Sequence, residues 1–311
     1  MSAWLAVLSN LIASGLLAGG ALVIAGTGEV VAERSGVLNL GIEGFMALGA
    51  VAAIAAVTST GNLSSGVAAA MLVGLLMGFV FSVIVVWIKV DQVIAGLGFS
   101  FLGSGLAAWL GASYAGTPAP VTFGRAEFPG LSHLSFLGEA IFSLPLPTYA
   151  AFLLLPTAAH VVLFRTRFGL SICSAGENPV AAEAAGLPVA LLRCLSATFG
   201  GMMAALSGAY LTLVLVPTWS EGLTGGRGWI TLALVIFSAY RPLRLAVAAF
   251  GFGLITAAGF SVQMLGIPLN SALLSALPYL ATLTIMLIAG FRARRSARPA
   301  GLGVPLERET R

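Results

Sequence analysis

The chain contains very few of the residues that build nucleotide sites, metal centres and catalytic sites. Its 311 residues include two cysteines, two histidines, one lysine (Lys89) and one aspartate (Asp91). A phosphate-binding P-loop requires a lysine in the pattern Gly-x4-Gly-Lys-Ser/Thr, and Lys89 stands instead in VWIKVDQ, so this nucleotide site is excluded. His133 and His160 lie far apart, without a His-Glu-x-x-His pattern or a neighbouring cysteine cluster, which argues against a metal-dependent hydrolase.

The remaining nucleophile and acid–base candidates are equally sparse. Sequence order alone leaves a Ser-His-Asp arrangement open, but the single aspartate stands next to Lys89 at the edge of an apolar segment, where a solvated position is expected. Cys173 and Cys194 are 21 positions apart, which matches no metal or redox spacing, and both are interpreted as packing residues. The sequence therefore predicts a chain that is not an enzyme and has no catalytic residue, metal site or cofactor of its own.

Charged residues are scarce as well, at 8% of the chain, whereas a soluble globular domain has about a quarter. The mean hydropathy is +1.02 and 59% of the residues are hydrophobic. Apolar runs of about 20 residues, each long enough to cross a hydrocarbon core of about 30 Å, recur along the chain. We therefore predict an all-α polytopic membrane protein with about 8–10 transmembrane helices, in contact with membrane lipid and not with nucleic acid.

Hydropathy predicts nine apolar segments, and the first is interpreted as a retained span because no basic residue precedes it. The seventh is too short to cross alone, which is typical of a broken or re-entrant helix lining a cavity. The nine segments are Trp4–Ala25, Val37–Ser59, Gly66–Ile88, Val93–Ala112, Thr148–Phe164, Leu191–Leu215, Trp229–Ala239, Leu245–Leu265 and Ala272–Phe291.

Basic residues predict the orientation, because cytosolic loops carry an excess of lysine and arginine. If the segment Arg165–Arg193 and the C-terminus are cytosolic, 13 of the 15 basic residues lie inside and only Arg125 and Arg227 lie outside. A nine-span count places the N-terminus outside and a ten-span count places it inside. We divide the chain into a transmembrane domain, residues 1–291, and a basic tail, residues 292–311, which is predicted to be disordered and cytosolic.

A short polar-edged segment, GENPVAAEAAGLP, interrupts the apolar runs at Gly176–Pro188. Asn178 is a good N-cap, Pro179 suits the first helical position, and the alanine-rich run that follows favours helix. Gly186 suits the left-handed position after the helix, and Pro188 prevents its continuation. The sequence predicts a helix of about seven residues, which is too short to be stable alone in water. It therefore needs the lipid headgroup layer or another protein to lie against.

A second polar stretch, GEVVAERSGVLNLGIEGFMALGA, covers Gly28–Ala50. Ser35, Asn39 and Glu43 are four residues apart and would share one face of a helix. A carboxylate such as Glu43 inside an apolar run is energetically costly, so it is a candidate functional residue. The alternative, which the sequence favours equally, is a structural carboxylate satisfied by a neighbouring helix.

Four stretches, in order along the chain, resemble permease subunits of bacterial ABC importers, in the group of branched-chain amino acid, ribose and nucleoside permeases. The form ERSGVLNLGIEG, Glu33–Gly44, is similar to the nucleoside and simple-sugar branch in particular. The resemblance covers nearly the whole chain. The four stretches are Val31–Ala50, Val90–Ala107, Arg167–Val189 and Gly226–Leu243.

The resemblance implies a multi-pass subunit of the bacterial cytoplasmic membrane that imports a small polar solute, a nucleoside or simple sugar. ATP and Mg²⁺ would bind a separate ATPase subunit, and a periplasmic or lipid-anchored binding protein would deliver the solute. A second, related but different permease chain is expected. In such permeases the segment matching Gly176–Pro188 is the coupling helix, which docks into a groove on the ATPase. Its residues here are Asn178, Pro179, Ala181, Ala182, Glu183, Ala184, Ala185 and Gly186.

The solute path needs polar groups of modest affinity, and it is expected between the two permease chains. An ion-coupled secondary transporter is the main alternative, but it needs several ionisable groups within the membrane, and Glu43 is almost the only one at mid-span. A structural or assembly protein would have no path at all. The path candidates are Ser35, Asn39, Glu43, Gln92, Ser100, Trp219 and Trp229, of which the tryptophans also suit interfacial anchoring.

Overall fold

The chain is helical in its computed structural model, which describes residues 3–129, 132, 137–264, 276–277, 279–280, 283–284 and 298–304. Within those residues every regular element is a helix, and seven helical stretches are long and apolar enough to cross a membrane. The prediction of an all-α polytopic membrane protein is confirmed. The last predicted segment, Ala272–Phe291, lies almost entirely outside the described residues.

Short π-helical turns extend two of the helices and join two others. The helices are α1 (Ala3–Arg34), α2 (Ile42–Thr60), α3 (Leu63–Ser82), α4 (Gln92–Gly111), α5 (Leu137–Ile141), α6 (Leu146–Tyr149), α7 (Leu155–Arg165), α8 (Arg167–Glu177), α9 (Pro179–Ala184), α10 (Val189–Tyr210), α11 (Arg227–Phe237) and α12 (Pro242–Met264). The π-helical turns are Val83–Trp87 after α3, Ala150–Leu154 between α6 and α7, and Leu211–Leu215 after α10. With them, the seven crossing stretches are α1, α2, α3, α4, α6 with α7, α10, and α12.

Helix α1 lies against both α10 and α12, and both of these run antiparallel to it. The Ser207 hydroxyl of α10 donates to Ala21 O of α1 at 2.7 Å. A Cβ added to Gly19 would lie only 2.7 Å from Ala249 O of α12. In lipid, helices associate through close packing rather than through hydrophobic burial, so small residues at such contacts allow the backbones to approach.

One end of the bundle collects arginine side chains and is named here the arginine-rich end, defined by Arg34, Arg165, Arg167, Arg193 and Arg241. Arg34 Nε donates to the carbonyl oxygen of residue 240 at 3.0 Å, and Arg193 Nε donates to that of residue 35 at 3.2 Å. These bonds join the ends of α1, α10 and α11. The same end carries α8 and α9.

Helix α11 runs from inside the bundle to the arginine-rich end without crossing the membrane. Its 11 residues span about 16 Å at 1.5 Å per residue, which is about half of a hydrocarbon core of about 30 Å. The prediction that this segment is too short to cross alone is confirmed. Arg227, which the basic-residue distribution predicts to lie outside, is the first residue of this helix.

The predicted span Val37–Ser59 is present, but its helix begins later than predicted, at Ile42. Helix α1 continues to Arg34 and α2 begins only at Ile42, so residues 35–41 form a non-helical connection. Gly36 at its start has φ +95°, in the left-handed region that glycine tolerates. The apolar run in the sequence conceals this break, because the residues that make it irregular are a few small and polar ones.

The prediction of a disordered tail is wrong for its seven described residues, Arg298–Val304, which form turns packed on the arginine-rich end. Gly301 N–H donates to Gly176 O at 2.8 Å, and Gly303 N–H donates to Gly36 O at 3.1 Å. Leu302 is 4% exposed and belongs to the main hydrophobic core. Glycine and proline favoured disorder in the sequence, but here the backbone finds partners in the last turn of α8 and in the α1–α2 connection.

Candidate functional site

The connection between α1 and α2 takes hydrogen-bond partners from buried side chains. Leu38 N–H donates to Gln92 Oε1 at 2.7 Å. Asn39 N–H donates to Glu29 Oε1 at 3.0 Å, and Asn39 Oδ1 accepts from Gly41 N–H at 2.8 Å. Irregular backbone inside a membrane protein is tolerated only where the protein itself satisfies its polar groups. The polar side chains around this connection therefore hold an irregular backbone in place.

Glu43, in the first turn of α2, binds the N-terminus of α11. Its Oε1 accepts from Gly226 N–H at 2.8 Å and its Oε2 accepts from Gly228 N–H at 2.7 Å. The first N–H groups of a helix have no partner within the helix and carry partial positive charge, so a carboxylate is well suited to satisfy them. Glu43 is thus an N-terminal cap supplied to α11 from another helix, which corresponds to the structural alternative raised by the sequence.

This junction lies beside the middle of helix α4. A Cβ added to Gly103 of α4 would lie 2.6 Å from the carbonyl carbon of Gly44, so Glu43 is level with the central turns of α4. Two helix N-termini, those of α2 and α11, therefore meet inside the bundle, beside a helix that is long and apolar enough to cross a membrane.

A cavity of about 230 Å³ lies beside this junction, between α2, α4 and the loop before α11. Trp219, which is 4% exposed, forms one wall and packs against Gly111 at the end of α4. The polar residues of the lining are Glu43, Ser104, Ser220, Glu221 and Thr224. An apolar wall with a few polar groups is the usual composition of a small-molecule pocket.

Of the seven predicted path residues, Glu43 and Trp219 line this cavity together. Ser100 lies on α4 with its backbone against Gly44, and Trp229 lies on α11 with 37% of its surface exposed. Neither is among the lining residues. The structure thus brings two of the seven candidates into one pocket.

The other three path candidates, Ser35, Asn39 and Gln92, are buried in or against the α1–α2 connection. The Ser35 hydroxyl donates to the carbonyl oxygen of residue 32 at 2.6 Å, at the end of α1. The expectation that Ser35, Asn39 and Glu43 share one helical face is wrong, because only Glu43 of the three is in a helix. A spacing of four residues means a shared face only while the helix continues.

Sequence reasoning assigned no role to Glu29 or to Arg193, and both hold parts of this region together. Glu29 is 1% exposed and binds the α1–α2 connection, and Glu33, one turn later, is equally buried. The signal in the sequence that could have identified Glu29 is a pair of carboxylates, Glu29 and Glu33, four residues apart within an apolar helix. Within the described part of the chain, no three His, Cys, Asp or Glu side chains form a group that could hold a metal ion.

Helix α9 has both of the predicted caps. Asn178 Oδ1 accepts from Ala181 N–H at 3.0 Å, and Pro179 is the first helical residue. At the other end Gly186 has φ +82°, its N–H donates to the carbonyl oxygen of residue 183 at 2.9 Å, and Leu187 N–H donates to that of residue 182 at 3.0 Å. This pair of bonds is a Schellman motif. The helix has six residues, one fewer than the sequence predicted.

One side of α9 packs on the protein and the other is exposed. Ala182 is 5% exposed and belongs to the core, whereas Val180 is 64% exposed. Helix α8, which leads into α9, is attached to the end of α1 by an ion pair of 3.7 Å between Arg34 Nη1 and Glu177 Oε1. The short helix is therefore held at a fixed place on the arginine-rich end with an apolar side chain turned outward.

Two groups at this end have pKa values displaced by burial. Burial raises the pKa of the Cys173 thiol on α8, an effect that the charge of Arg34 partly offsets. Burial, followed by the nearby carboxyl group of Glu33, raises the pKa of Tyr240 to about 12. Both side chains therefore stay protonated at neutral pH and act as packing groups.

Residues 11–289 match the family described as "Branched-chain amino acid transport system / permease component". The putative glucose ABC transporter permease protein TsgC13 of Haloferax volcanii is 34% identical to this chain, over 93% of this chain and 94% of its own length. The guanosine ABC transporter permease protein NupQ of Bacillus subtilis is 29% identical, over 96% and 97%. The glucose ABC transporter permease protein TsgB13 of Haloferax volcanii is 26% identical, over 79% and 69%.

The match to the family begins within α1 and extends past α12, so it includes the Glu43 junction, the cavity and the α8–α9 segment. Seven apolar helices agree with a protein that crosses the cell membrane several times. The chain belongs to the family of branched-chain amino acid transport system permease components.

Proposed function

We propose that this chain is the membrane-spanning permease subunit of an ABC importer that moves a nucleoside or a simple sugar across the cell membrane. Similar proteins are permeases named for guanosine and for glucose, which are both ring compounds with several hydroxyl groups. The alternative, an ion-coupled secondary transporter, is not favoured by any of these relatives. A structural protein without a transport path is disfavoured in the same way.

The observation that carries this proposal is the exposed, doubly capped helix α9. A helix of six residues is about 9 Å long and is not stable alone in water, yet both of its ends are fixed by hydrogen bonds. Its exposed Val180 fits a hydrophobic groove on another protein better than it fits water. We assign α9 as the coupling helix that docks on the ATPase subunit.

This assignment makes the arginine-rich end cytosolic, as the distribution of basic residues predicts. The C-terminal residues Arg298–Val304 then lie on the cytosolic side, and the tip of the α2–α3 hairpin lies outside. A cysteine at position 181 on α9 should be protected from a membrane-impermeant maleimide in intact cells, and one at position 59 should react. The background for both variants lacks Cys173 and Cys194, and labelling of position 181 from outside would reverse the topology.

ATP and Mg²⁺ would bind the partner ATPase, since the only lysine of this chain is Lys89 and no P-loop sequence is present. A solute-binding protein would deliver the solute from outside. Two similar permeases of one organism, TsgB13 and TsgC13, are both named for glucose. This pairing supports an assembly in which a second, unlike permease chain joins this one.

The cavity beside the Glu43 junction is our candidate for contact with the solute. Glu43 already uses both oxygens for the amides of α11, so it shapes the site more than it binds solute. Trp219 offers a flat apolar wall, and Ser104 and Thr224 offer hydroxyl groups for the polar edges of a sugar or nucleoside. The half-length helix α11, which begins here against the N-terminus of α2, resembles the discontinuous helices around transporter sites.

Uptake by the reconstituted complex tests the function directly. Vesicles holding this chain, the ATPase and the second permease should take up a radiolabelled nucleoside or sugar only with ATP inside and the binding protein outside. Replacing Trp219 by alanine should lower uptake strongly, whereas the matched Trp229→Ala variant on the exposed side of α11 should stay near wild type. ATP-independent uptake driven by an ion gradient would contradict the proposal.

A further inference from the structure

Arg193, one turn into α10, binds backbone carbonyl oxygens from two distant parts of the chain. It is 2% exposed, and its Nε donates to Ser35 O at 3.2 Å, at the end of α1. Its Nη1 donates to Val304 O at 2.8 Å and its Nη2 to Gly301 O at 3.3 Å, both in the C-terminal segment. A guanidinium offers five N–H donors in a fixed fork, so it can join several carbonyl groups at once.

The C-terminal segment, residues 298–304, is named here the strap. Beyond its bonds to Arg193, its Gly301 N–H donates to Gly176 O, three residues before the first residue of the coupling helix, and its Gly303 N–H donates to Gly36 O. A Cβ added to Gly301 would lie 3.1 Å from Cδ of Pro179, the first residue of α9. The strap therefore packs directly on the N-terminus of the coupling helix and on the start of the α1–α2 connection.

The α1–α2 connection leads to the junction of Glu43 with α11. It continues through Leu38, which is bonded to Gln92, and Asn39, which is bonded to Glu29, into the first turn of α2. That turn carries Glu43, which caps α11 beside the cavity. The strap thus adds a second contact between the base of α9 and this connection, beside the direct approach of Gly176 to Gly36.

We infer that residues 298–304 position the coupling helix against the α1–α2 connection, so that a movement of α9 imposed by the ATPase reaches the Glu43 junction, with Arg193 as a positioning residue. This inference rests on the proposed function, because it takes α9 as the ATPase-docking helix. One further contact supports it, because Leu302 is 4% exposed and anchors the strap in the main hydrophobic core.

A matched pair of substitutions distinguishes a role of the strap in passing the movement of α9 to the Glu43 junction from a role in docking α9 on the ATPase. Leu302→Asp puts a charge at the buried anchor of the strap, and Ala300→Asp introduces the same charge two residues earlier at an exposed position. In the reconstituted complex, Leu302→Asp should lower the amount of solute transported per ATP hydrolysed by about fivefold or more, the usual scale of site-to-site coupling. Ala300→Asp should leave that ratio unchanged, and the ATPase should co-purify with both variants.

The outcomes distinguish this inference from the proposed function. If the ATPase does not co-purify with the wild-type chain, the proposed function fails. If it co-purifies and the ratio is the same in wild type, Leu302→Asp and Arg193→Met, the strap has no role in transmission and the inference is overturned. Arg193→Lys, which keeps the charge and loses the fork, should restore part of the ratio lost in Arg193→Met.

A measurement on the unmodified complex covers the case in which Leu302→Asp fails to accumulate. The amides of Gly301 and Gly303 donate to the last turn of α8 and to the α1–α2 connection, so their hydrogen exchange should be slow and should change when ATP closes the ATPase subunits. Fast exchange at both amides in the assembled complex would show that the strap is not bound there, and would overturn the inference.

Discussion

The short helices α9 and α11 both need an N-terminal cap, and they obtain it in opposite ways. The cap of α9 is Asn178, the residue immediately before the helix. The cap of α11 is Glu43, which lies 183 residues before Gly226 in the sequence and belongs to another helix, α2. A local cap stabilises one helix alone, whereas a distant cap ties the position of one helix to that of another. The two caps should therefore respond differently to mutation.

The largest effect is expected at Glu43. Glu43→Leu leaves the N–H groups of Gly226 and Gly228 without their acceptor in a buried place, and each hydrogen bond to a charged group contributes about 1.5–3 kcal/mol. We expect a large fall in the melting temperature of the purified permease and the loss of transport. Glu43→Gln keeps one acceptor oxygen, so its melting temperature should fall roughly half as far as that of Glu43→Leu.

Thermal unfolding of the three proteins in one detergent checks this prediction. Glu221→Gln serves as a control, because Glu221 lines the same cavity and its side chain is exposed. If Glu43→Leu melts at the wild-type temperature and transports normally, the cap on α11 contributes nothing and the comparison of the two helices loses its basis.

The same contrast explains which parts of the site the sequence could predict. Asn178, Pro179 and Gly186 act on residues within a few positions, so their pattern alone predicted α9 and both of its ends. Glu43 could be singled out as a costly carboxylate, but its partner could not be named, because the amides it binds belong to a helix far along the chain. A contact between residues far apart in the sequence has no fixed spacing from which it could be predicted.

The break between α1 and α2 shows the same limit. Residues 37–41 fall in a run that is apolar enough to be taken for a span, and the side chains that hold the break, Glu29 and Gln92, are outside it. The docked strap was missed for a similar reason. Its composition is typical of disorder, and it is held in an ordered place by carbonyl acceptors and a guanidinium from parts of the chain far away in sequence.

A smaller effect is expected at Gly186, the C-terminal end of α9. Gly186→Val puts a β-branched side chain at φ +82°, a conformation that costs an L-residue about 1–2 kcal/mol. That cost is enough to fray a helix of six residues but too small to stop membrane insertion. The variant should reach the membrane at normal levels and co-purify poorly with the ATPase.

Gly61 provides the matched control for this prediction. It ends α2 with φ +66° and, like Gly186, has no atom within 4 Å of an added Cβ. Gly61→Val therefore imposes the same kind of strain at the opposite end of the bundle. Equal recovery of ATPase with both variants would leave the coupling role of α9 without support.

The N-cap of α9 should have a smaller effect again. Asn178→Ala removes the acceptor for the Ala181 N–H, a loss of about 1 kcal/mol for a typical cap. Binding of the ATPase should weaken about fivefold if that cost falls on the docked helix. Asn62 caps α3 through the Ser64 N–H at 3.0 Å, so Asn62→Ala is the control, and titrated pull-downs should show no weakening for it.

The smallest effect concerns the thiol of Cys173, on α8 just before the coupling helix. Only the thiolate reacts with a maleimide, and burial raises the pKa of this thiol, so at pH 8 it should react more slowly than an exposed cysteine. The exposed reference is Ser174→Cys in a Cys173→Ser background. The maleimide reaction rate of Cys173 should keep rising with pH after the rate of this reference has levelled off. The Asn178 side chain caps α9, whereas its backbone N–H, which alanine retains, caps α8 through Ser174 O, so Asn178→Ala should leave the Cys173 profile unchanged. A profile shifted toward that of Ser174→Cys would mean that the side-chain cap also holds α8, and that the local cap acts beyond its own helix.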